Sequence, residues 1–322
     1  MSALRESSVL NDLELSRPIS FSLEASSIFG RLGKRLMVIL RSPGCNYYQR
    51  RQGGCSYCGF SLLTEPRRRC TPDEYASQLR YALEASCAHD VDRLEIDLYN
   101  SGNFLNDSEL APMARSALAQ VYASVPNLAL LSVDSRPEFI NTPHLRTWLT
   151  SHPRSFAPEL IEIGIGLEVF DDDLRVTELR KNFSRQDFAS AVKRLSKTGV
   201  GLLTYVMLKP SLMSDERALS EVVGAAEFAV ETAARYRVRG RIALEPTFVV
   251  RGTTLEGQAM KGLYSPPTSD LVVEAVTRLH HSVGAVRVGL WHEGLDSLRD
   301  PIETTTLQKY NLHQDLSVFT SF

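Results

Sequence analysis

Short apolar runs rich in β-branched residues recur along the chain, separated by amphipathic stretches of helical period. The runs cover residues 36–40, 93–98, 128–133, 161–168, 202–208 and 242–250, with a weaker seventh at 286–290. Between them, helix starts are marked by capping residues. Thr71-Pro72-Asp73-Glu74 reads as a capping box with proline at the first helical position. Asp107 precedes the pattern SELAPMARSALAQVY, and Ser184 precedes RQDFASAVKRLSKT, which stops at Gly199. Thr268 and Ser269 precede DLVVEAVTRLHH. Near-continuous apolar strands alternating with helices predict parallel β/α units whose outer face is covered. No internal repeat or low-complexity linker interrupts the alternation. The expected architecture is one barrel-like domain over residues 35–295, with short extensions at 1–34 and 296–322.

In β/α folds the chemistry gathers at the C-terminal ends of the strands. Six polar or glycine-rich segments fall there. They are the cysteine-bearing loop after residue 40, YNSGNF, DSRPEF, GLEVFDDD, LKPS and RGTTLE. Their agreement on one end of the barrel outweighs any single motif.

Composition narrows the class. The 322 residues are 43% hydrophobic and 23% charged, with a net charge of −2, which offers no global attraction for nucleic acid. Residues 1–70 carry 11 Lys and Arg against 5 Asp and Glu, a local balance of +6 that leaves −8 for the remainder. Arg50, Arg51 and Arg67 to Arg69 therefore form either a solvated surface or a basic rim for phosphates, carboxylates or RNA. No apolar run approaches the ~20 residues of a membrane span, and the polar N-terminus lacks a signal-peptide core. A cytoplasmic protein without membrane attachment is expected.

Three of the five cysteines, Cys45, Cys55 and Cys58, fall in fourteen residues with the spacing C-x9-C-x2-C. Clustered thiols in a chain with few cysteines point to metal rather than disulfides. Two centres fit the spacing. Cys70 could complete a four-thiolate zinc site. Alternatively, three thiolates hold an iron–sulfur cluster with one iron open to another ligand.

The cysteine loop, with Tyr57 before its last cysteine, resembles that of the radical S-adenosylmethionine superfamily. Further segments are similar to the branch containing the Elongator catalytic subunit and the radical subunit of archaeosine synthase. They are NSGNFLND, VDSRPEFI, GLEVFDDDLRVTELRKNFS, YVMLKPSLMSDERA and EPTFVVRGTTLEGQAMKGLYSPP, in that order over residues 35–320. The resemblance implies a (β/α)6-type partial TIM barrel and favours iron–sulfur over zinc. It implies a 4Fe–4S cluster on Cys45, Cys55 and Cys58, whose open iron chelates S-adenosylmethionine. Reductive cleavage would then give a 5′-deoxyadenosyl radical that abstracts hydrogen from substrate, with flavodoxin or ferredoxin as electron donor.

By the same resemblance Tyr57 packs near the adenine, and Ser101, Gly102 and Asn103 contact the methionine amino group. Glu168 and Lys181 bind ribose hydroxyls and carboxylate, and Thr247 and Phe248 wall the adenine. Each has a plainer reading as core packing, a turn or a solvated charge. On the substrate side stand Asp134, Arg136, Lys209, Glu245 and His292. Lys209, at a strand mouth, is expected to bind an anionic group or guide a proton. Glu245 and the segment Trp291-His292-Glu293 depart from the branch, which puts a shared substrate in doubt. A small molecule is the expected substrate, with tRNA as the alternative. A zinc-stabilised binding protein is the non-enzyme reading.

Overall fold

The computed structural model describes residues 14–50, 54–64, 69–290, 297–298 and 304–319. Eight strands form one curled sheet in the order β1-β2-β3-β4-β5-β6-β7-β9. They are β1 (Ser20–Ile28), β2 (Arg31–Ile39), β3 (Leu94–Tyr99), β4 (Leu128–Asp134), β5 (Ile161–Glu168), β6 (Gly201–Leu208), β7 (Gly240–Pro246) and β9 (Arg287–Val288). From β2 to β9 every pairing is parallel. The fold is thus a mostly parallel partial barrel, as the apolar pattern predicts. Outward residues such as Leu36, Ile96, Ile163 and Leu202 form the core with the surrounding helices.

The capping signals act where they are written. Thr71 and Ser184 each close a full capping box, and Thr268 accepts a hydrogen bond from the Leu271 backbone N–H. Asp107 does not begin a helix. Pro112 fixes the first turn five residues later, and Asp107 instead pairs with the buried Arg115 at 2.5 Å. Two further helices, Thr142–Leu149 and Asp215–Arg235, fill the remaining crossovers. The apolar run at 242–250 is broken. The sheet strand ends at Pro246, and Val249–Val250 (β8) leaves to pair antiparallel with Ser297–Leu298 (β10).

The residues before 35 also contribute to the barrel. β1 pairs antiparallel with β2 along its whole length, and Phe29-Gly30 forms the turn with φ of 52° and 74°. Positive φ at both turn residues matches the twist of a two-residue hairpin. The sheet does not close by hydrogen bonds between β1 and β9. Helix Thr304–His313 packs against both strands at this seam, with Leu307 and Tyr310 buried. Asn311 offers its side-chain amide as a substitute strand. It accepts from the Val288 N–H and donates to the Val288 carbonyl, each at 2.8 Å. Gln308, Asn311, Leu312 and Gln314 thereby line the barrel interior.

Candidate active site

A cavity of about 600 Å³ runs along the barrel axis, and Cys45, Cys55 and Cys58 lie in its wall. The loop carrying them is folded tightly after β2. Gly54 takes φ of 57°, and a Cβ there would lie 2.9 Å from the Tyr48 backbone. The loop is tied to its neighbours by the Ser56 N–H, which donates to the Leu179 carbonyl at 3.1 Å, and by the Tyr47 hydroxyl on the Arg180 carbonyl. Burial pushes the Cys45 thiol up to about 11 and the Cys58 thiol up to about 12. Burial also raises Cys55, but Lys181 and Arg136 oppose it.

Opposite the cysteines, the turn after β3 is organised by a residue the motif search did not single out. Glu109 is buried and accepts from the Asn46 N–H at 3.0 Å, the Asn106 amide at 2.7 Å and the Asn103 amide at 2.9 Å. It also accepts from the Asn103 backbone N–H. Asn103 thus held points its Nδ2 toward Cys45 Sγ at 3.8 Å and accepts from the Arg136 N–H at 2.9 Å. Gly102 leaves the room for this contact, since a Cβ would strike Glu109 and sit 3.1 Å from the Cys45 backbone. Ser101, at φ of 52°, and Asn100 are buried in the cavity wall with side-chain polar atoms that have no partner among the described residues. A buried polar group without a partner costs about 1–3 kcal/mol, so such atoms fit a ligand.

Tyr57, Glu168 and Lys181 meet at one point. The Tyr57 hydroxyl donates to Glu168 Oε1 at 2.8 Å, and Lys181 Nζ reaches both the Tyr57 hydroxyl at 3.1 Å and Glu168. Glu168 ends β5 at a register shift with φ of 65°, an uncommon conformation for a residue with a side chain. A Cβ on Gly166 would collide with both Glu168 and Lys181, so that glycine makes the pairing possible. Arg136 lies over the Tyr47 ring at 4.2 Å and donates to the Lys181 carbonyl at 2.7 Å. Phe248 lines the cavity, whereas Thr247 is buried beside it.

Further along the axis lies a polar layer that the sequence did not announce. Arg35 pairs with Asp97 at 2.7 Å, Arg287 with Asp97 at 3.2 Å, and Arg241 bridges Glu95 and Glu162. Burial works to raise the Asp97 pKa, but Arg35, Arg287 and Arg241 outweigh it and hold the carboxyl below its ordinary value. Above this layer the Tyr99 hydroxyl donates to Asp97 at 3.0 Å and lies 3.3 Å from the Tyr205 hydroxyl, which donates to Asp134 at 2.9 Å. Burial drives Asp134 and Glu245 each up to about 7.

Not every candidate joins the site. Lys209 does not line the cavity. Its ammonium pairs at 2.7 Å with Asp215 on the following helix, so the expected anion contact is not made there. His292, with Trp291 and Glu293, lies outside the described residues, as do Arg51, Arg67 and Arg68. Arg50 and Arg69 are exposed. Cys70 also stands apart, with its Sγ on the Arg41 carbonyl at 3.3 Å and near the Gln78 amide at 3.4 Å.

The donor set bears on which metal centre fits. A zinc ion draws all its thiolates to about 2.3 Å from one point. Among the described residues no three His, Cys, Asp or Glu side chains converge so closely. An iron–sulfur cluster spreads its thiolates over separate irons, and three thiols around one cavity wall fit that wider arrangement.

No family model matches the chain. An uncharacterized protein of Methanocaldococcus jannaschii is 25% identical over 299 residues, 89% of this chain and 78% of that protein. Archaeosine synthase subunit beta of Methanosarcina acetivorans is 28% identical over 243 residues, 75% of this chain and 65% of that protein. The Thermococcus kodakarensis protein of the same name is 24% identical over 300 residues, 90% and 89% of the two chains. Among solved structures, Elp3 of Methanocaldococcus infernus gives a TM-score of 0.48 at 14% identity over 68% of this chain and 52% of that one. Streptococcus suis SuiB bound to S-adenosylmethionine gives 0.48 at 14% over 80% and 51%. The chain resembles the radical S-adenosylmethionine superfamily. Within that resemblance, the match spans about half the length of each of the two solved chains and just under two thirds of the Methanosarcina protein. Among the described residues no helix is long and apolar enough to cross a membrane.

The raised carboxyls make a testable statement about stability. A carboxyl whose folded pKa exceeds its unfolded value binds its proton more tightly in the native state, so its contribution is lost as pH rises through the folded pKa. Stability should therefore fall between about pH 4.5 and about pH 7 through Asp134 and Glu245. Glu245→Gln should flatten that slope and gain on the order of 2 kcal/mol above pH 7. Urea titrations across the range read it directly, and an unchanged slope in the variant would refute it.

Proposed function

We propose that this protein is a radical S-adenosylmethionine enzyme in which Cys45, Cys55 and Cys58 hold three irons of a 4Fe–4S cluster. The observation that carries the reading is the convergence on one cavity of these three thiols and the buried Ser101 hydroxyl, which has no partner among the described residues, at the C-terminal end of a parallel partial barrel. With its cofactor bound, the cluster would supply one-electron cleavage of the sulfonium and hydrogen abstraction from substrate. The chain's own groups set the conditions for that chemistry. Lys181 and Arg136 favour the Cys55 thiolate, and Asn103, pinned by Glu109, presents an N–H to Cys45. Glu168 and Lys181 hold each other and are placed to exchange partners, Lys181 for a carboxylate and Glu168 for hydroxyls. The barrel strands and the seam helix would wall the reacting centre on its sides. An external donor such as flavodoxin or ferredoxin would supply the electron.

The substrate we favour is a small molecule, because a net charge of −2 offers no global attraction for RNA. The two archaeosine synthase relatives favour the second reading, a tRNA-modifying enzyme. Anaerobic reconstitution followed by reductant and S-adenosylmethionine should yield 5′-deoxyadenosine and methionine, faster with substrate than without. Methylthioadenosine in their place would sink the reading. Stimulation by bulk tRNA that disappears on ribonuclease treatment would select the second substrate class over the first.

A further inference from the structure

The charges along the barrel axis do not balance, and the imbalance is local. In the deep layer three guanidinium groups, Arg35, Arg241 and Arg287, meet three carboxylates, Glu95, Asp97 and Glu162. Nearer the cysteines, Lys181 meets Glu168 and Arg136 meets Glu138. Three acids of the cavity wall remain outside these pairs, Glu24 on β1 beside the deep layer and Asp134 and Glu245 between the two sets. Asp134 receives only the Tyr205 hydroxyl, and for Glu245 the structure records no hydrogen bond or ion pair among the described residues. Both carboxyls line the same cavity, and Arg287 and Asp97 lie within electrostatic reach of each.

The backbone has been cleared to admit them. A Cβ on Gly289 would overlap the Glu245 carboxylate, and one on Gly164 would overlap Asp134 and the Tyr205 ring. A second feature points independently to an occupant. Asn100 is 1% exposed and lines this cavity, yet among the described residues neither its amide oxygen nor its amide nitrogen has a partner. The Met37 and Met207 side chains supply apolar wall beside these polar groups. Arg35 and Arg287 face this chamber, but both are already paired with carboxylates of the deep layer.

We infer that the stretch between Asp134 and Glu245 is a binding site for a cationic nitrogen group, an amine, amidine or guanidinium, carried by the substrate. Its N–H groups donate to the two carboxylates, and Asn100 and the Tyr99 hydroxyl complete the contacts. This deepens the reading above and rests on it only in naming the occupant a substrate. A bound cation in this enclosed site favours the ionised carboxylates, so affinity increases as they shed their protons. The groups facing Glu245 are Arg287, Arg35, Glu168 and Asp97, and those facing Asp134 are Tyr205, Asp97, Arg287 and Lys181.

Calorimetric titration of the full-length protein with agmatine, and separately with glutarate, tests the inference. The measurement requires neither a cluster nor turnover, so its result is independent of whether S-adenosylmethionine is cleaved. Agmatine should bind, and more tightly at about pH 8 than at about pH 6, on either side of the carboxyl range. Glu245→Gln and Asp134→Asn should each weaken it by roughly tenfold or more, the scale of one charged hydrogen bond. Glutarate should not bind. On reconstituted protein, S-adenosylhomocysteine should leave agmatine in place. Preference for glutarate, no agmatine binding, indifference to both substitutions, or displacement by S-adenosylhomocysteine would each overturn the assignment.

Discussion

Replacing Cys58 by alanine will strip the anaerobically reconstituted protein of its iron, and Cys45→Ala and Cys55→Ala will do the same. Wild type should hold about four irons and four sulfides per chain with broad thiolate-to-iron absorption, and each variant close to none. The three thiols share one cavity wall, and none has a substitute within it. Cys70→Ala and Cys87→Ala should keep full iron. Cys70 faces Gln78 and the Arg41 carbonyl, and Cys87 is exposed at the end of helix Pro72–Ala85. Iron and sulfide analysis with the visible spectrum decides the matter. Loss of iron in Cys70→Ala as complete as in Cys58→Ala would refute a three-cysteine cluster.

The second large effect lies in the ionic layer. Asp97→Ala should destabilise the fold by about 3–5 kcal/mol, because removing one partner of a buried ion pair leaves the other charge uncompensated. Here Arg35 loses its carboxylate, and Arg287 keeps only Glu95, at 3.5 Å, among the described residues. Lys209→Ala breaks an ion pair whose Asp215 partner is 57% exposed, and should cost at most about 1 kcal/mol. Urea unfolding of both variants beside wild type gives the contrast. A loss below 1 kcal/mol for Asp97→Ala would show that the layer contributes little to stability.

Much of the architecture was legible because parallel strands bury both faces and so write themselves as apolar runs. The cysteine loop and the turns at the strand ends followed from that register. β1 was not legible, since its inward Ser22, Glu24 and Ser26 break the apolar run and its pairing with β2 depends on a turn residue, Phe29, in a conformation that aromatic residues seldom adopt. The helix after Asp107 was misplaced for a related reason. Asp, Ser and Glu suit a cap by residue type, but here Glu109 is taken by three asparagine partners.

Within the site, the grouping of Tyr57, Glu168 and Lys181 was visible as separate segments but not as a contact, because Tyr57 and Lys181 are 124 positions apart in sequence. Lys209 looked like a site residue because it directly follows β6. Its left-handed backbone, with φ of 60°, and the nearby Asp215 take the side chain elsewhere. The arginine–carboxylate layer was hidden differently. Glu95, Asp97, Glu162 and Arg241 alternate with apolar residues in their strands, and in one sequence an inward charge on a barrel strand looks the same as an outward one.

The seam between β1 and β9 bears on how such a protein can diversify. A fully hydrogen-bonded barrel has its girth fixed by strand number and stagger, so its interior is resized only by altering many strands together. Here one helix sets the last side of the chamber, held to β9 by the Asn311 amide. Changes at Gln308, Leu312 or Gln314 redraw the chamber without touching a backbone ladder or the cysteine loop on the opposite end of β2. Substitutions on this helix would therefore resize the chamber while leaving the loop that carries Cys45, Cys55 and Cys58 unchanged.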